Sequence, residues 1–470
     1  MMLSELSKNK MKSTMYNMFG RTFSLFIPSI LLASISFRVQ AQDILTKEEV
    51  LRIALEQNFN IRIVNNTERI AENNTSILNS GYLPQLNAVV GAEYQSADDT
   101  RSFPGVTNPE TGIPRPDIVI TGAETQRYNA GLTASYVLFD GLGRRYRYKQ
   151  LYEQYQLTKL QARETIENTW IQLCTIYYDI ARLVENRNVV KDILETSQQR
   201  VLRAKYRFEY GQDTKLAVLN AEVDAVNDSI TLMTVNQQLE NTKRDLNAVL
   251  GRNAEQEFSV DTIVQLLPGG ELLKFQDSID TNNVVILQAR QGKRITAFDE
   301  KIARSGYLPQ LSLNGFYGWN QVRSPASAFF PGNISDSQTL TAGVTLNWSL
   351  FDGGPRYIRI RNAQLAQDND QLRIEQAELE VRKDVVNAWG TYQNQLRIYT
   401  IREQNVQTAQ NNFERSEERL KLGQISSVEF RQAQVNLLNA QTDKNIAKYD
   451  AKLAEIRYLQ LTGQLLNVAF

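Results

Sequence analysis

Histidine is absent from all 470 residues, and cysteine occurs once. Without histidine there is no Ser-His-Asp or Cys-His nucleophile, no histidine general base, no HExxH zinc site and no haem ligand of that type. The lone Cys174 cannot close an internal disulfide or build a thiolate metal cluster. Charge of one sign is missing too: 52 basic against 52 acidic residues leave a net charge of zero. That removes the cationic field expected of a nucleic-acid binder, so no nucleic-acid partner is expected. Long apolar runs are also lacking, and nothing after Gln42 resembles a transmembrane helix of roughly 20 residues. Hydrophobic residues nevertheless make up 42% of the chain, enough for a folded protein.

Residues 1–41 read as an address. Lys8, Lys10, Lys12 and Arg21 precede an apolar run from Phe23 to Ile35, and Val39-Gln40-Ala41 follows. This order predicts a secretory signal peptide cut before Gln42. Cys174 is far from that new N-terminus and cannot serve there as a lipid attachment point. An exported chain without an apolar span is periplasmic, secreted or a β-barrel.

The rest is written twice. Ser80-Gly81-Tyr82-Leu83-Pro84-Gln85-Leu86 recurs as Ser305-Gly306-Tyr307-Leu308-Pro309-Gln310-Leu311, and Leu138-Phe139-Asp140-Gly141 recurs as Leu350-Phe351-Asp352-Gly353. Tyr210-Gly211-Gln212 answers to Leu422-Gly423-Gln424, and Gly251 to Gly463. The spacing predicts a first repeat over residues 42–251, a linker over 252–280, a second repeat over 281–463 and a short tail, 464–470. Tandem copies of this kind imply a pseudo-twofold architecture rather than independent domains.

Between the first two landmarks of each copy the hydrophobic period is two. Leu86, Ala88, Val90, Ala92 and Tyr94 alternate with polar or small residues that include Glu93. Tyr128, Ala130, Leu132, Ala134 and Tyr136 alternate with a row that starts at Arg127. Strands are predicted at about 85–96, 125–139, 310–320 and 339–351, long enough to cross a bilayer when tilted. A sandwich with one wet face would show the same alternation.

After each Phe-Asp-Gly landmark the period turns helical for about 65 residues. Ile166, Leu173, Ile180, Arg187, Leu194, Val201 and Phe208 fall every seventh residue, with Thr169, Ile176, Leu183, Val190 and Ala204 on the alternate seam position. Such a heptad run predicts a supercoiled helix on the order of 100 Å long, packed on neighbours of equal length. Two shorter helical segments flank each long one, and their summed length matches it. Each copy therefore reads as one long helix against two shorter ones stacked end to end, with the linker as a belt at mid-height.

This organisation resembles the TolC family of outer-membrane efflux channels. The match rests on the doubled Gly-Tyr-Leu-Pro and Leu-Phe-Asp-Gly motifs and on two hairpin tips, near 210–213 and 422–425. The resemblance implies a mixed fold of helices and membrane strands. Four strands per chain would join a trimeric twelve-stranded transmembrane barrel, continued by a long periplasmic helical barrel with an equatorial belt. It implies a passive exit duct in the outer membrane of a Gram-negative cell, in contact with outer-membrane lipid. A periplasmic adaptor (membrane fusion) protein and an inner-membrane pump of RND or ABC type would be its partners. The duct of a type I protein secretion system and a structural periplasmic coiled coil are the alternatives. No enzyme activity, cofactor or metal is expected; Gln291-Gly292-Lys293-Arg294 lacks the leading glycine and the Ser/Thr of a phosphate loop.

The candidate site residues follow from the same comparison. Tyr210, Gly211, Gln212, Leu422, Gly423 and Gln424 form the tips that would meet the adaptor. Glu93 and Arg127 are candidate lumen-facing strand residues. Glu429 stands where an acidic pore-gate residue is expected, but Gln432 and Ile425 replace the family's second acid and latch arginine, and Ala217 replaces the acid after the first tip.

The even row of the first strand is assigned to lipid. Val90→Arg is therefore expected to block membrane assembly, since a cation at the bilayer midplane costs about 2–4 kcal/mol, while Asn87→Arg assembles. Equal heat-modifiability of both variants in outer-membrane fractions would reverse the assignment.

Overall fold

The computed structural model describes residues 44–326 and 331–468, so the signal-peptide segment lies outside the described residues. A short strand β1 (Ile44–Leu45) leads into α1 (Lys47–Gln57) and α2 (Phe59–Asn74). Two long strands follow, β2 (Gln85–Arg101) and β3 (Ile118–Asp140), then helices α3 (Gly143–Glu209) and α4 (Lys215–Leu250). The connecting stretch carries β4 (Ser259–Val260), α5 (Gly269–Lys274) and α6 (Ile279–Asn282). The same sequence of elements then returns as α7 (Val284–Ser305), β5 (Gln310–Ser324), β6 (Asn333–Asn347), α8 (Pro355–Lys421) and α9 (Ser427–Leu461).

The strands depart from the sequence expectation at their ends. β2 and β3 run on past their apolar rows into Ser96–Arg101 and Ile118–Glu124, with a bulge between Ala97 and Asp99. Main-chain pairing needs no apolar side chain, so alternation undercounts β2, while the unbroken run Ile118-Val119-Ile120 at the head of β3 does not alternate. β6 instead stops at Asn347, short of the expected 351. Beyond it the indole of Trp348 donates to the Tyr307 carbonyl at 3.0 Å, and Asp352 turns to the start of α8.

The four long strands form one antiparallel sheet in the order β2-β3-β5-β6. Its register sorts the side chains by face. Val90 stands opposite Ala130, which stands opposite Trp319. Ala88, Leu132, Tyr317 and Leu340 make a parallel row across all four strands. The other face carries Glu93 opposite Arg127, and Asn129, Asn320 and Ser337 in line. One aromatic interrupts that polar face. The Phe316 ring lies over Gly131 and Gly318, where a Cβ would come within 2.7 and 2.3 Å of it.

The doubled motifs build the junction between sheet and helices. Asp140 accepts from the Arg144 amide at 2.8 Å and forms an ion pair with its guanidinium at 3.4 Å, and that guanidinium donates to the Gly81 carbonyl and covers the Tyr82 ring. Asp352, Arg356 and Tyr307 repeat the arrangement. Gly141 has φ 68°, and a Cβ there would lie 2.3 Å from the Ser305 carbonyl oxygen. This close approach is why the aspartate must be followed by glycine.

The helical part is set by α3 and α8, each 67 residues long. α3 packs on α2 and α7 in its upper half and on α4 and α9 below, and α8 packs on α7 and then α9. The stacked helices are spliced by one side chain in each copy. Asn58 caps α2 by accepting from the Ile61 amide at 3.0 Å, while its own amide donates to the Val249 carbonyl, the last turn of α4, at 2.6 Å. Asn283 caps α7 in the same way and donates to the Leu461 carbonyl of α9 at 2.8 Å. Gly251 and Gly463 end α4 and α9 in the left-handed region; a Cβ on either would strike the Gln57 or Asn282 carbonyl.

The linker lies against these joints. Tyr177, at the middle of α3, donates to the Leu45 carbonyl and accepts from the Asp261 amide, both at 3.1 Å. The buried Lys452 donates to the Gln265 carbonyl and to Glu455, whose other oxygen accepts from the Leu267 amide. Around them sits the main apolar core, with Leu173, Tyr178, Ile180, Leu246, Ile286, Tyr392 and Tyr458. Cys174 is part of this core, and burial pushes its thiol up to about 12, so it packs as a small apolar group.

Aspartate and asparagine cap helices equally well, but only asparagine can also donate to the facing carbonyl. Asn58→Asp and Asn283→Asp are each expected to lower stability by about 1–3 kcal/mol, the cost of unsatisfied buried polar groups. Thermal unfolding in detergent that is unchanged by either substitution would reduce these residues to ordinary caps.

Candidate functional site

Each long helix reverses through the same short turn. The first hairpin ends at Tyr210, and Gly211 takes φ 70°. The Gln212 amide then donates to the Arg207 carbonyl at 2.7 Å and the Gly211 amide to Phe208. In the second, Gly423 has φ 71°, and the Gln424 amide donates to the Arg419 carbonyl at 2.9 Å. Both are Schellman closures, which need the left-handed conformation that glycine enters without a Cβ penalty. Tyr210 and Leu422 are 79% and 71% exposed, too much for core residues of a single chain. Nothing stands within 4 Å of a Cβ on Gly211, so its requirement is conformational, not steric.

The return helices start from side-chain caps. Thr214 accepts the Ala217 amide at 3.3 Å at the head of α4. At the head of α9, Ser426 accepts the Glu429 amide at 3.2 Å, and Glu429 accepts in turn from the Ser426 amide at 2.8 Å and its hydroxyl at 2.9 Å. This is a capping box. The backbone hydrogen bond from Ser426, then its hydroxyl, holds the Glu429 carboxyl below the usual range. The candidate gate residue therefore has a local structural task that sequence comparison did not anticipate, although Ser-x-x-Glu is itself a legible signal.

The tips stand side by side. Arg203 of α3 reaches Glu417 of α8 at 3.4 Å, and Lys421 reaches the same carboxylate at 3.1 Å. Between the two hairpins lies a cavity of about 310 Å³ lined by Arg200, Ala204, Tyr206, Leu420 and Phe430, among others. Above it a polar cluster ties three helices together. Arg431 of α9 makes two bonds of 2.7 Å to Asp228 of α4, and Ser197 of α3 donates to the same carboxylate at 2.6 Å. Gln434 donates to Ser197 and to the Ile193 carbonyl, and Arg200 pairs with Asp224. Burial works against the charge on Arg431, but Asp228 and Asp224 outweigh it and raise its pKa. For Arg200 burial prevails over Asp224 and lowers it.

The heptad reading passed over this cluster. Its alternate seam ran from Val190 to Ala204 and left out Ser197, the polar residue between them. In the lower third of α3 the buried positions are Asn186, Val190, Ile193, Ser197, Arg200 and Ala204, whereas Leu194 and Val201 are half-buried and Phe208 is exposed. A polar residue recurring in an apolar seam was the available signal. Far from the tips, Glu93 and Arg127 are brought opposite one another on the polar sheet face. The structure thus groups the proposed residues into two regions, tips and sheet.

Comparison with known proteins gives these regions a family. The model for outer membrane efflux proteins matches residues 50–252 and 279–464. The chain belongs to the outer membrane efflux protein family. It is 20% identical over 397 residues to the outer membrane efflux protein BepC of Brucella suis biovar 1 (strain 1330), covering 84% of this chain and 80% of that one. It is 22% identical over 394 residues to the outer membrane protein TolC of Vibrio cholerae serotype O1, covering 82% and 83%. The fold is similar to that of the Campylobacter jejuni CmeC outer membrane channel, with a TM-score of 0.68, 17% identity, and coverage of 89% of this chain and 86% of that one. It is an outer-membrane efflux protein with a TolC-like, mostly helical fold.

The depressed carboxyl of Glu429 has a pH signature. Its folded pKa lies below the unfolded value, so its contribution is present above the unfolded pKa and lost as pH falls through the folded one. The stability difference between the parent and Glu429→Ala is expected to be steady near neutrality and to shrink below the ordinary glutamate range. Melting curves taken across that range check it; a difference independent of pH would contradict the ionised cap.

Proposed function

We propose that three copies of this chain form a passive exit duct, carrying substrates from an inner-membrane pump and its periplasmic adaptor across the outer membrane. The observation that carries this reading is the pair of unfinished edges. β2 and β6 end the sheet, each with one side unpaired among the described strands. Lipid cannot satisfy such edges, but β6 of one copy can pair with β2 of the next, and three copies close twelve strands. The helical layer is unfinished in the same places. α2 exposes Ile63 and Ile70, with Ile77 just beyond it, at intervals of seven residues. At the opposite edge α8 exposes Ile358, Leu365, Leu372, Leu379 and Val386 at the same interval. α4 adds Leu216, Leu219, Val223, Val226, Ile230 and Met233. Apolar seams at both outer edges suit a head-to-tail contact that closes into a ring.

In this assembly the apolar sheet face meets lipid and the face with Glu93 and Arg127 lines the lumen. The helices enclose the periplasmic part of the channel, and the linker girdles it. Tyr210, Gly211, Gln212, Leu422, Gly423 and Gln424 lie farthest from the membrane and form the adaptor surface. Three Glu429 carboxylates would ring the axis there and favour cations. No energy-coupling machinery is called for, because the pump drives transport.

Detergent-purified protein is expected to have a mass near three chains, and Gln212→Glu/Gln424→Glu is expected to keep that mass while weakening crosslinks to the adaptor and lowering export. Glu429→Gln, which preserves the capping box, should reduce the cation preference of the bilayer conductance. A conducting monomer would overturn the shared barrel. Unchanged crosslinking and export in the double variant would remove the tips from the docking surface.

A further inference from the structure

Beneath the sheet, both long helices open with the same charge pattern. α3 begins Gly143-Arg144-Arg145-Tyr146-Arg147-Tyr148-Lys149 and α8 begins Pro355-Arg356-Tyr357-Ile358-Arg359-Ile360-Arg361, with no acidic residue in either stretch. Arg144 and Arg356 are committed to Asp140 and Asp352 at the helix starts. Arg145, Arg147, Lys149 and Arg359 have no ion-pair partner among the described residues, and Arg361 has only a 3.4 Å bond to Gln364. The nearby Glu300 of α7 is held by Arg304 at 2.6 Å and by Gln364 at 3.0 Å, so it does not neutralise them.

Helical spacing divides these cations by face. Arg145, Lys149 and Tyr152 stand at i, i+4 and i+7 on one side of α3, and Tyr357 and Arg361 share one side of α8. Tyr152 and Tyr357 are 54% and 66% exposed. Arg147 and Arg359 instead line a groove of about 490 Å³ with Asp299 and Ala363. Beside the helix starts, the sheet's lower end exposes an apolar girdle formed by Leu83, Leu308, Trp348, Leu350 and Phe351. At about 1.5 Å per residue, Arg145 to Lys149 fall within roughly 10 Å of the helix start. That depth matches the polar layer of a bilayer, about 5–8 Å thick on each side, once the reach of long side chains is counted.

We infer that the face carrying Arg145 and Lys149 is a collar that binds the anionic headgroups of glycerophospholipids in the periplasmic leaflet; Arg361, between Ile358 and Leu365, belongs to the edge proposed to meet the next copy. Three properties favour this partner over an acidic protein. The cations alternate with tyrosines, which hold the interface between apolar and wet surroundings. They adjoin the apolar girdle rather than a shaped pocket, and they are exposed and unpaired, as recognition of mobile headgroups requires. The inference rests on the proposed reading of the sheet as a membrane wall.

The test uses the full-length protein in nanodiscs of phosphatidylcholine doped with phosphatidylglycerol, with the lipids that remain bound counted by native mass spectrometry. The parent is expected to enrich phosphatidylglycerol, and Arg145→Gln/Lys149→Gln to lower that enrichment by at least about fivefold, given the weight of each basic residue at a charged surface. Arg147→Gln/Arg359→Gln, on the groove side, should leave it unchanged. The single substitutions should each give a graded loss, so the measurement does not depend on the double variant assembling. Enrichment retained in the Arg145→Gln/Lys149→Gln variant, or lost in the groove-side pair instead, overturns the collar. A parent chain recovered outside the nanodisc fraction overturns the membrane wall and the collar with it, and is distinguished by composition before any lipid is counted.

Discussion

A helix of 67 residues has a long seam to cover, and among the described residues none of the helices packed on α3 or on α8 is as long. Everything in the periplasmic part answers that constraint. Two shorter helices are laid end to end along each long one, which puts two helix termini, with unsatisfied amides and carbonyls, in the middle of the wall. Asn58 and Asn283 resolve the difficulty by serving both termini at once, one oxygen to the starting helix and one amide group to the ending helix. Gly251 and Gly463 then let the two backbones meet. The linker covers the joint, held by Lys452, Glu455 and the buried tyrosines. The belt is thus a consequence of helix length, not an ornament added to it.

The sheet faces a different version of the same problem. Its register places apolar rows together on one face and polar rows on the other, so a single wall can separate two environments. Its edges remain open, as do the apolar seams on α2 and α8, and the proposed ring closes all of them with one repeated contact. The junction must then pass a strand pair into helices within a few residues. The Asp-Arg-Tyr arrangement does this twice, and it places cations immediately below the apolar girdle.

At the far end the priorities change. Packing gives way to a polar cluster in which Asp228 is shared by Arg431 and Ser197. Such a cluster specifies one alignment of the hairpins through directional bonds, while the tips beyond it expose Tyr210 and Leu422. The chain keeps its side-chain specificity where hairpins must be aligned and leaves apolar surface where other molecules are proposed to bind.

Much of this was legible in the residues alone, because it depends on period. Alternation at two and recurrence at seven identify strands and long helices wherever one face is buried, and a doubled set of landmarks shows that the pattern occurs twice. The tip glycines were legible for a related reason: helix reversal demands a backbone that few residues adopt. Contacts between segments far apart in the chain were not. Asn58 looks like any helix cap until Val249 is brought to it, and Ser197 looks like a weak seam residue until Asp228 and Gln434 arrive. The polar extension of β2 was missed because its pairing is made by the backbone, and the head of β3 because Ile118-Val119-Ile120 is apolar without alternating. Periodicity, a local property, was determined by the sequence itself; which buried polar groups satisfy one another was decided only by the tertiary structure, because hydrogen bonds depend on positions in space that no spacing along the chain records.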